Sequence, residues 1–252
     1  MTRKNNWRLV PTTINNAFEN MAIDEATAES VGKEISPSTI RFYRWTPSAV
    51  SIGYFQSMEK EVNSRSCREA NIDIVRRRTG GGAVFHDSEG EITYSVIAPE
   101  TLFSKDLIVS YEEICRWIIN GLHNLGINAV FSPINDILVN GKKISGNAQT
   151  RRNNVLQQHG TILIKPDIDK MFNVLRVSDI KIRDKLIKNV KERITSLSDH
   201  THHSREEIEQ AMISSFSHGK EISQSNLSEE ERARAEELVK TKYATREWNW
   251  WR

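Results

Sequence analysis

Hydrophobic and polar positions change period several times along the chain, and those changes outline the elements. From about Asn16 to Val31, Phe18, Met21, Ala22 and Ala26 recur at the spacing of one helical face, which predicts an amphipathic helix. Two strand-like runs follow, Thr39–Trp45 and Ala49–Phe55, parted by a turn that contains Pro47. A short helix over Val62–Ala70 leads into a strand at Ile72–Val75, and the alternation in Glu91–Ala98 reads as a further strand. Leu107, Tyr111, Ile114, Ile118 and Leu122 are spaced for the buried face of a helix over Leu107–Leu125. Short strands are expected at Ala129–Phe131, Asp136–Val139, Lys142–Ser145 and Gly160–Ile164. Beyond Pro166 the pattern turns helical, at about Ile168–Leu175, Ser204–Phe216 and Ser228–Lys242.

Several strands follow one another directly, so an α/β chain of the α+β type with a mixed or antiparallel sheet fits better than a regular βαβ alternation. The 252 residues suit one domain spanning 1–252, with a helical C-terminal third from about residue 166 to 252. Composition then narrows the function classes. Charged residues make up 27% and hydrophobic residues 38%, a soluble globular balance, and a formal net charge of +2 argues against nucleic acid as the partner. No apolar run approaches the roughly 18–20 residues that cross a bilayer, so no membrane partner is expected. The polar start from Met1 to Asn6 lacks the apolar stretch of a secretory signal. Two cysteines, Cys67 and Cys115, supply neither a disulfide framework nor a four-cysteine zinc site, and a reduced, cytoplasmic setting is expected.

The candidate chemistry begins with a hairpin. Asn140-Gly141, between Asp136–Val139 and Lys142–Ser145, is a type I′ turn signal, because both central residues need positive φ. A two-residue loop pairs Val139 with Lys142, Leu138 with Lys143, Ile137 with Ile144 and Asp136 with Ser145. Ile137, Val139 and Ile144 then share a core face, while Asp136, Leu138, Lys143 and Ser145 share the other. Asp136 and Lys143 become diagonal neighbours with backbones about 7–8 Å apart. That gap suits a phosphate with a metal ion at least as well as a direct salt bridge; taken alone, the hairpin reads rather as a solvated face with an incidental Asp and Lys.

The second feature is Gly80-Gly81-Gly82 after a strand, where backbone amides can form an anion-binding nest. Alone it reads as a flexible turn; with Arg76, Arg77 and Arg78 attached, anion binding is favoured. The loop matches neither the Walker A pattern nor G-x-G-x-x-G. His86 and His159 sit at strand edges, where a histidine is either a hydrogen-bonded structural residue or a pocket group. His200, His202 and His203 lack a zinc spacing, and Ser204 reads as a helix N-cap with Glu206 and Glu207 in the first turn.

Together, Arg76–Asp87 (RRRTGGGAVFHD), Asn135–Gln149 (NDILVNGKKISGNAQ) and His159–Ile164 (HGTILI) resemble, in that order, the motifs of the lipoate–protein ligase A family. Asn20–Ala26, Arg41–Trp45 and Ser51–Gln56 look like that family's N-terminal segments, and Arg193–Asp199 and Glu247–Trp250 like its later part. The resemblance implies a mixed sheet flanked by helices, the fold shared with biotin protein ligases. It also implies ATP-dependent activation of lipoate, with Mg²⁺, to lipoyl-AMP. The lipoyl group then passes to a lysine of an acceptor domain, on a 2-oxoacid dehydrogenase E2 component or a glycine cleavage H protein.

Carried over by position, Arg77, Gly80, Gly81, Gly82, Ala83, Val84 and Phe85 would line the lipoate and nucleotide pocket, together with Thr79, Gly146 and Ala148. Lys143 would contact the acyl carbonyl and α-phosphate and stabilise the charge that develops there. Asn135 and Asp136 would sit near the phosphates, with Asp136 a candidate Mg²⁺ ligand. His86 and His159 would support the pocket wall, and Leu138 is a candidate for the apolar tunnel of the lipoyl tail. Full-length family members carry an accessory domain beyond the region matching Glu247–Trp250, which implies a separate accessory subunit here. A sister group, the octanoyl- and lipoyltransferases, uses a cysteine nucleophile and an acyl carrier protein donor without ATP. No cysteine stands in Phe131–Val139, and Cys67 and Cys115 read as structural, so an octanoyltransferase is the alternative. A non-catalytic module that only holds the ligand is the third class, against which Lys143 speaks.

Overall fold

Asn16 starts the first helix by accepting the Glu19 N–H at 2.9 Å, while the Glu19 carboxylate accepts the Asn16 N–H in return, a reciprocal cap that fixes the helix boundary. The computed structural model describes residues 6–176 and 183–252. The polar start up to Asn5, and residues 177–182 of the expected helical third, lie outside the described residues. In chain order the elements are β1 (Asn6–Asn15), α1 (Ala17–Gly32), β2 (Ser38–Trp45), β3 (Ala49–Ile52), α2 (Met58–Glu61), α3 (Ser64–Glu69), β4 (Asp73–Arg76), β5 (Val84–His86) and β6 (Glu91–Pro99). There follow α4 (Leu107–Asn124), β7 (Ala129–Ser132), β8 (Asp136–Val139), β9 (Lys142–Arg152), β10 (Val155–Leu163), α5 (Ile168–Val174), α6 (Arg183–Arg193), α7 (Arg205–Ser217), β11 (Glu221–Gln224), α8 (Glu229–Leu238) and α9 (Arg246–Asn249).

Eight strands form a mixed sheet in the order β11-β1-β2-β6-β10-β9-β8-β7, and β4-β3-β5 form a smaller one. The β1 strand runs parallel to β2 and β11, whereas the run from β2 to β7 is antiparallel. One face of the large sheet is covered by α4 and α7, where Ile40, Tyr94, Ile118, Leu122, Met212 and Phe216 pack together. The other is covered by α1 and α8 through Met21, Ala22, Ala26, Tyr43 and Leu238. The small sheet has its own core of Val50, Ile52, Met58, Val62 and Cys67. Burying these apolar faces, at about 25 cal/mol per Å², is the main favourable contribution to folding. Ser204 caps α7 with Glu207 in its first turn, as expected. Among the described residues no helix is long and apolar enough to cross a membrane.

Several expectations change. The two runs flanking Pro47 belong to different sheets: β2 lies between β1 and β6, and β3 between β4 and β5. The strand expected at Lys142–Ser145 continues to Arg152, because Asn153 and Asn154 adopt positive φ of 53° and 62° and turn the chain into β10. The helical third contains a strand, β11, paired with β1 through backbone bonds that need no apolar alternation in Glu221–Gln224. Leu107, expected on the buried face of α4, is 53% exposed in the first turn, ahead of the buried Tyr111, Ile114, Ile118 and Leu122.

Candidate active site

The hairpin of β8 and β9 turns through Asn140 and Gly141 with φ of 51° and 76°, the conformation their residue types favour. Val139 faces Lys142 and Leu138 faces Lys143, as expected. One residue further the register slips: Ile137 faces Ser145 and Asp136 faces Gly146, with Ile144 the extra residue of a bulge. Ile137, Val139 and Ile144 keep their buried positions, while Ser145 is buried as well. The slip sets a glycine opposite Asp136, so no side chain separates carboxylate from ammonium. Lys143 Nζ lies 2.7 Å from Asp136 Oδ1, a direct ion pair in place of the expected gap. A Cβ on Gly146 would come within 2.7 Å of Lys143 Cε and Nζ. From behind, the Lys143 carbonyl accepts the Thr195 N–H at 2.9 Å, which ties the hairpin to the chain after α6.

The glycine loop is built differently from an open anion nest. Gly81 alone of the three has positive φ, 94°, and its carbonyl lies against Gly53, where a Cβ would be 2.0 Å away. Arg77 crosses the loop: Nη2 donates to the carbonyls of Gly80 and Gly82 at 2.7 and 2.8 Å, Nη1 to Ser51 O and Oγ, and Nε to Thr79 Oγ1. Burial pulls this guanidinium down to about 10. Arg76 is wholly buried and donates to the carbonyls of Gly53, Tyr54, Gln56, Trp248 and Asn249. Arg78 faces Glu25 at 3.6 Å. The expectation that the three arginines present their donors to an anion is therefore corrected: carbonyls of the chain take up Arg76 and Arg77, and a carboxylate faces Arg78.

A continuous polar seam runs along the wall beside the loop. Glu91 Oε1 and His86 Nδ1 are hydrogen-bonded at 2.7 Å, and His86 Nε2 and Ser51 Oγ at 2.8 Å. The imidazole stacks on Trp45 with centroids 4.0 Å apart. Thr79 Oγ1 and His159 Nε2 are hydrogen-bonded at 2.8 Å, and His159 Nδ1 faces Asp24 Oδ2 at 3.7 Å. Burial holds His159 below the usual imidazole range, against the opposing pull of Asp24. Burial alone would raise Asp24, but Arg41 in contact with it, with His159 and Ser95, brings its net shift downward. His86 and His159 are thus wall residues whose rings are held on both nitrogens.

Hairpin, loop and seam enclose a cavity of about 600 Å³. Of the residues singled out in the sequence, Arg77, Gly81, Gly82, Ala83, Val84, Phe85, His86, Asn135, Asp136, Lys143, Gly146, Ala148 and His159 line it, as does Leu138. Thr79 and Gly80 do not: Thr79 stands behind the wall on His159, and Gly80 spends its carbonyl on Arg77. Sequence reasoning missed Met21, Tyr43, Trp45, Ser51 and Thr93 on the inner wall, and Leu163, Ile168, Met171, Val190 and Ile194 on the other side. Met21, Tyr43, Trp45, Ser51, Leu163 and Ile194 lay inside the segments that carry the family resemblance and could have been named; nothing in α5 or α6 marked Ile168, Met171 or Val190. Cys67 and Cys115 are fully buried and line no part of the cavity.

A Mg²⁺ ion fits poorly. Asp136 offers a single carboxylate whose Oδ1 already holds the Lys143 ammonium, and among the described residues no three His, Cys, Asp or Glu side chains gather as a metal site.

A slot walled by apolar side chains, with an amine fixed at one flank, is the layout of a protein that handles an acyl chain. The chain belongs to the lipoyl protein ligase A/B catalytic domain family, which it matches over residues 16–217. It is 35% identical to octanoyltransferase LipM of Brevibacillus brevis, over 96% of this chain and 98% of that one. It is 36% identical to octanoyltransferase LipM of Symbiobacterium thermophilum, over 97% and 98%. Among solved structures, a bi-partite lipoate protein ligase from Thermoplasma acidophilum superposes with a TM-score of 0.88 at 33% identity, covering 97% of this chain and 96% of that one. These comparisons bear out the family and the mixed sheet flanked by helices. They also correct the expectation of ATP-dependent ligation: the curated relatives, matched over nearly their full length, are octanoyltransferases. The sequence motifs alone did not separate the two activities within this family.

Proposed function

We propose that this chain is an octanoyltransferase, taking an octanoyl group from its thioester on an acyl carrier protein and passing it to a lysine amine of a lipoyl-acceptor protein. The acceptor would be the lipoyl domain of an E2 component or a glycine cleavage H protein. The observation that carries the reading is Lys143, fixed by Asp136 on the flank of an apolar cavity, in a chain whose curated relatives are octanoyltransferases. An octanoyl tail occupies the slot, and each buried CH₂ contributes roughly 0.8 kcal/mol. Lys143 sits where the carbonyl carbon turns tetrahedral, and its ammonium stabilises the oxyanion. A thioester is already activated, so the reaction calls for neither ATP nor Mg²⁺, and the accessory subunit implied by the resemblance has no adenylation step to support. The engagement of Arg76 and Arg77 by chain carbonyls is consistent with a donor that brings no triphosphate into the glycine loop.

The test is the intact mass of a lipoyl domain incubated with the chain and octanoyl-carrier protein, beside a reaction given lipoate and MgATP. The expected result is addition of one octanoyl group in the first reaction. Modification only in the second would overturn the reading.

A further inference from the structure

We propose that Asp199 is a positioning residue: it holds the segment that completes the sheet beside Lys143, and so fixes that amine on the acyl carbonyl. This rests on the octanoyltransferase reading, in which Lys143 faces the reacting carbon. The need for a support is set by the sheet itself. The β10 strand pairs with β9 from Arg152 only as far as Ser145, so its register stops short of Ile144 and Lys143. On the opposite side the bulge at Ile144 interrupts the β8–β9 ladder. Lys143 therefore stands beyond the reach of one neighbouring strand and next to a break in its pairing with the other. The chain after α6 takes up the edge that β10 leaves. Ile194 pairs with Lys143 as a parallel bridge, and the Thr195 N–H donates to the Lys143 carbonyl at 2.9 Å. Ile194 also lines the cavity, so one short segment supports both the amine and a wall of the slot.

Asp199 keeps that segment in place. Its Oδ2 accepts the Thr195 hydroxyl at 3.1 Å, the Ser196 N–H at 2.9 Å and the Ser196 hydroxyl at 2.9 Å. Burial alone would raise its carboxyl, but the bonds from Ser196 and Thr195 bring the net shift downward, so the acceptor is a carboxylate. An ionised carboxylate only accepts, so the one hydroxyl hydrogen of Thr195 goes to Asp199. His200 Nε2, 2.8 Å from the same oxygen, is then the donor to Thr195. The histidine that lacked a zinc spacing thus has a place in this clamp. Leu197 is fully buried in the main core, and the Ser198 N–H donates to the Ile164 carbonyl at 3.0 Å, which anchors the same turn. Asp199 itself is exposed and lines no part of the cavity. Its effect on the reaction passes through Thr195 and Ser196.

The experiment measures kcat and KM of the full chain for octanoyl transfer from a carrier thioester to a lipoyl domain, well below the melting temperature. Asp199→Ala should lower kcat by about tenfold while KM for the thioester stays within about twofold, because a displaced amine is missed in the transition state. Asp199→Asn keeps an acceptor oxygen in place and should recover most of the loss. In a Lys143→Ala background, Asp199→Ala should cost nothing further, since its effect runs through that amine. If Asp199→Ala fails to fold, Thr195→Val, which removes the hydroxyl and keeps the N–H, takes its place and should show the same pattern. A parental kcat, no recovery in Asp199→Asn, or an equal loss added on top of Lys143→Ala overturns the positioning role and leaves the octanoyltransferase reading standing. Absence of any transfer by the parent chain from the carrier thioester overturns that reading, and the positioning role with it.

Discussion

The Lys143 amine rests on Gly146, so closely that a Cβ at residue 146 would lie 2.7 Å from Nζ. Gly146→Ala therefore displaces the ammonium and leaves the backbone alone, because the clash is with the far end of a flexible side chain. A shift of about 1 Å in a catalytic group costs up to about a hundredfold. The variant should keep its thermal midpoint while kcat/KM for octanoyl transfer falls at least about tenfold. An unchanged kcat/KM would mean that the position of this amine is not critical.

Ala148 lines the cavity and pairs across the sheet with His159. Ala148→Leu fills part of the slot with three extra carbons, so long acyl chains lose room before short ones. At roughly 0.8 kcal/mol per CH₂ excluded, the preference for octanoyl over butanoyl donors should shrink by about tenfold or more. Competition between the two thioesters, read by acceptor mass, checks it.

Arg76 holds the carbonyls of Gly53, Tyr54, Gln56, Trp248 and Asn249 in a buried position, joining the glycine-loop sheet to α9. Arg76→Ala leaves those acceptors unpaired and should destabilise the fold by about 3 kcal/mol or more. Arg76→Lys should recover only part of that, since an ammonium lacks the planar fork. Urea unfolding midpoints measure both.

Stability should fall with acidification in two stages. Burial keeps His159 below the ordinary imidazole value of about 6.5, so the folded chain carries it neutral, while the unfolded chain takes up a proton as pH drops below that value. Unfolding then binds protons, and stability decreases from about pH 7 towards pH 5. Asp24 and Glu25, both lowered in the fold, add a further loss as pH falls through the unfolded carboxylate range near about 4. His159→Gln should flatten the first stage and, because His159 helps hold Asp24 down, weaken the second without abolishing it. Urea midpoints for parent and variant at several pH values read this directly.

Much of this was legible in residue order. The Asn140-Gly141 turn, the pairing of Leu138 with Lys143 and the helices at α1 and α4 follow from local conformational preference and periodicity, which act over a few residues. The bulge at Ile144 was not, because a strand pattern carries no mark of one extra residue, yet it creates the Lys143–Asp136 contact. Asp24 was not either. It lies on a helix whose spacing was read from apolar residues, and its value comes from Arg41, Ser95, Gln157 and His159, all distant in sequence. The arginine run misled for the same reason: residue type suggested an anion, whereas long-range packing supplied carbonyls. Ser51 and Trp45 joined the wall only once β2 and β3 had parted into separate sheets.

Lys143→Ala, set against the parent in octanoyl transfer from a carrier thioester to a lipoyl domain, asks the sharpest question. The half-exposed side chain contributes little to stability, so melting should be unchanged while the transfer rate drops by about a hundredfold or more. Transfer at the parental rate by a folded Lys143→Ala protein would contradict the assignment of this amine to the reacting carbonyl.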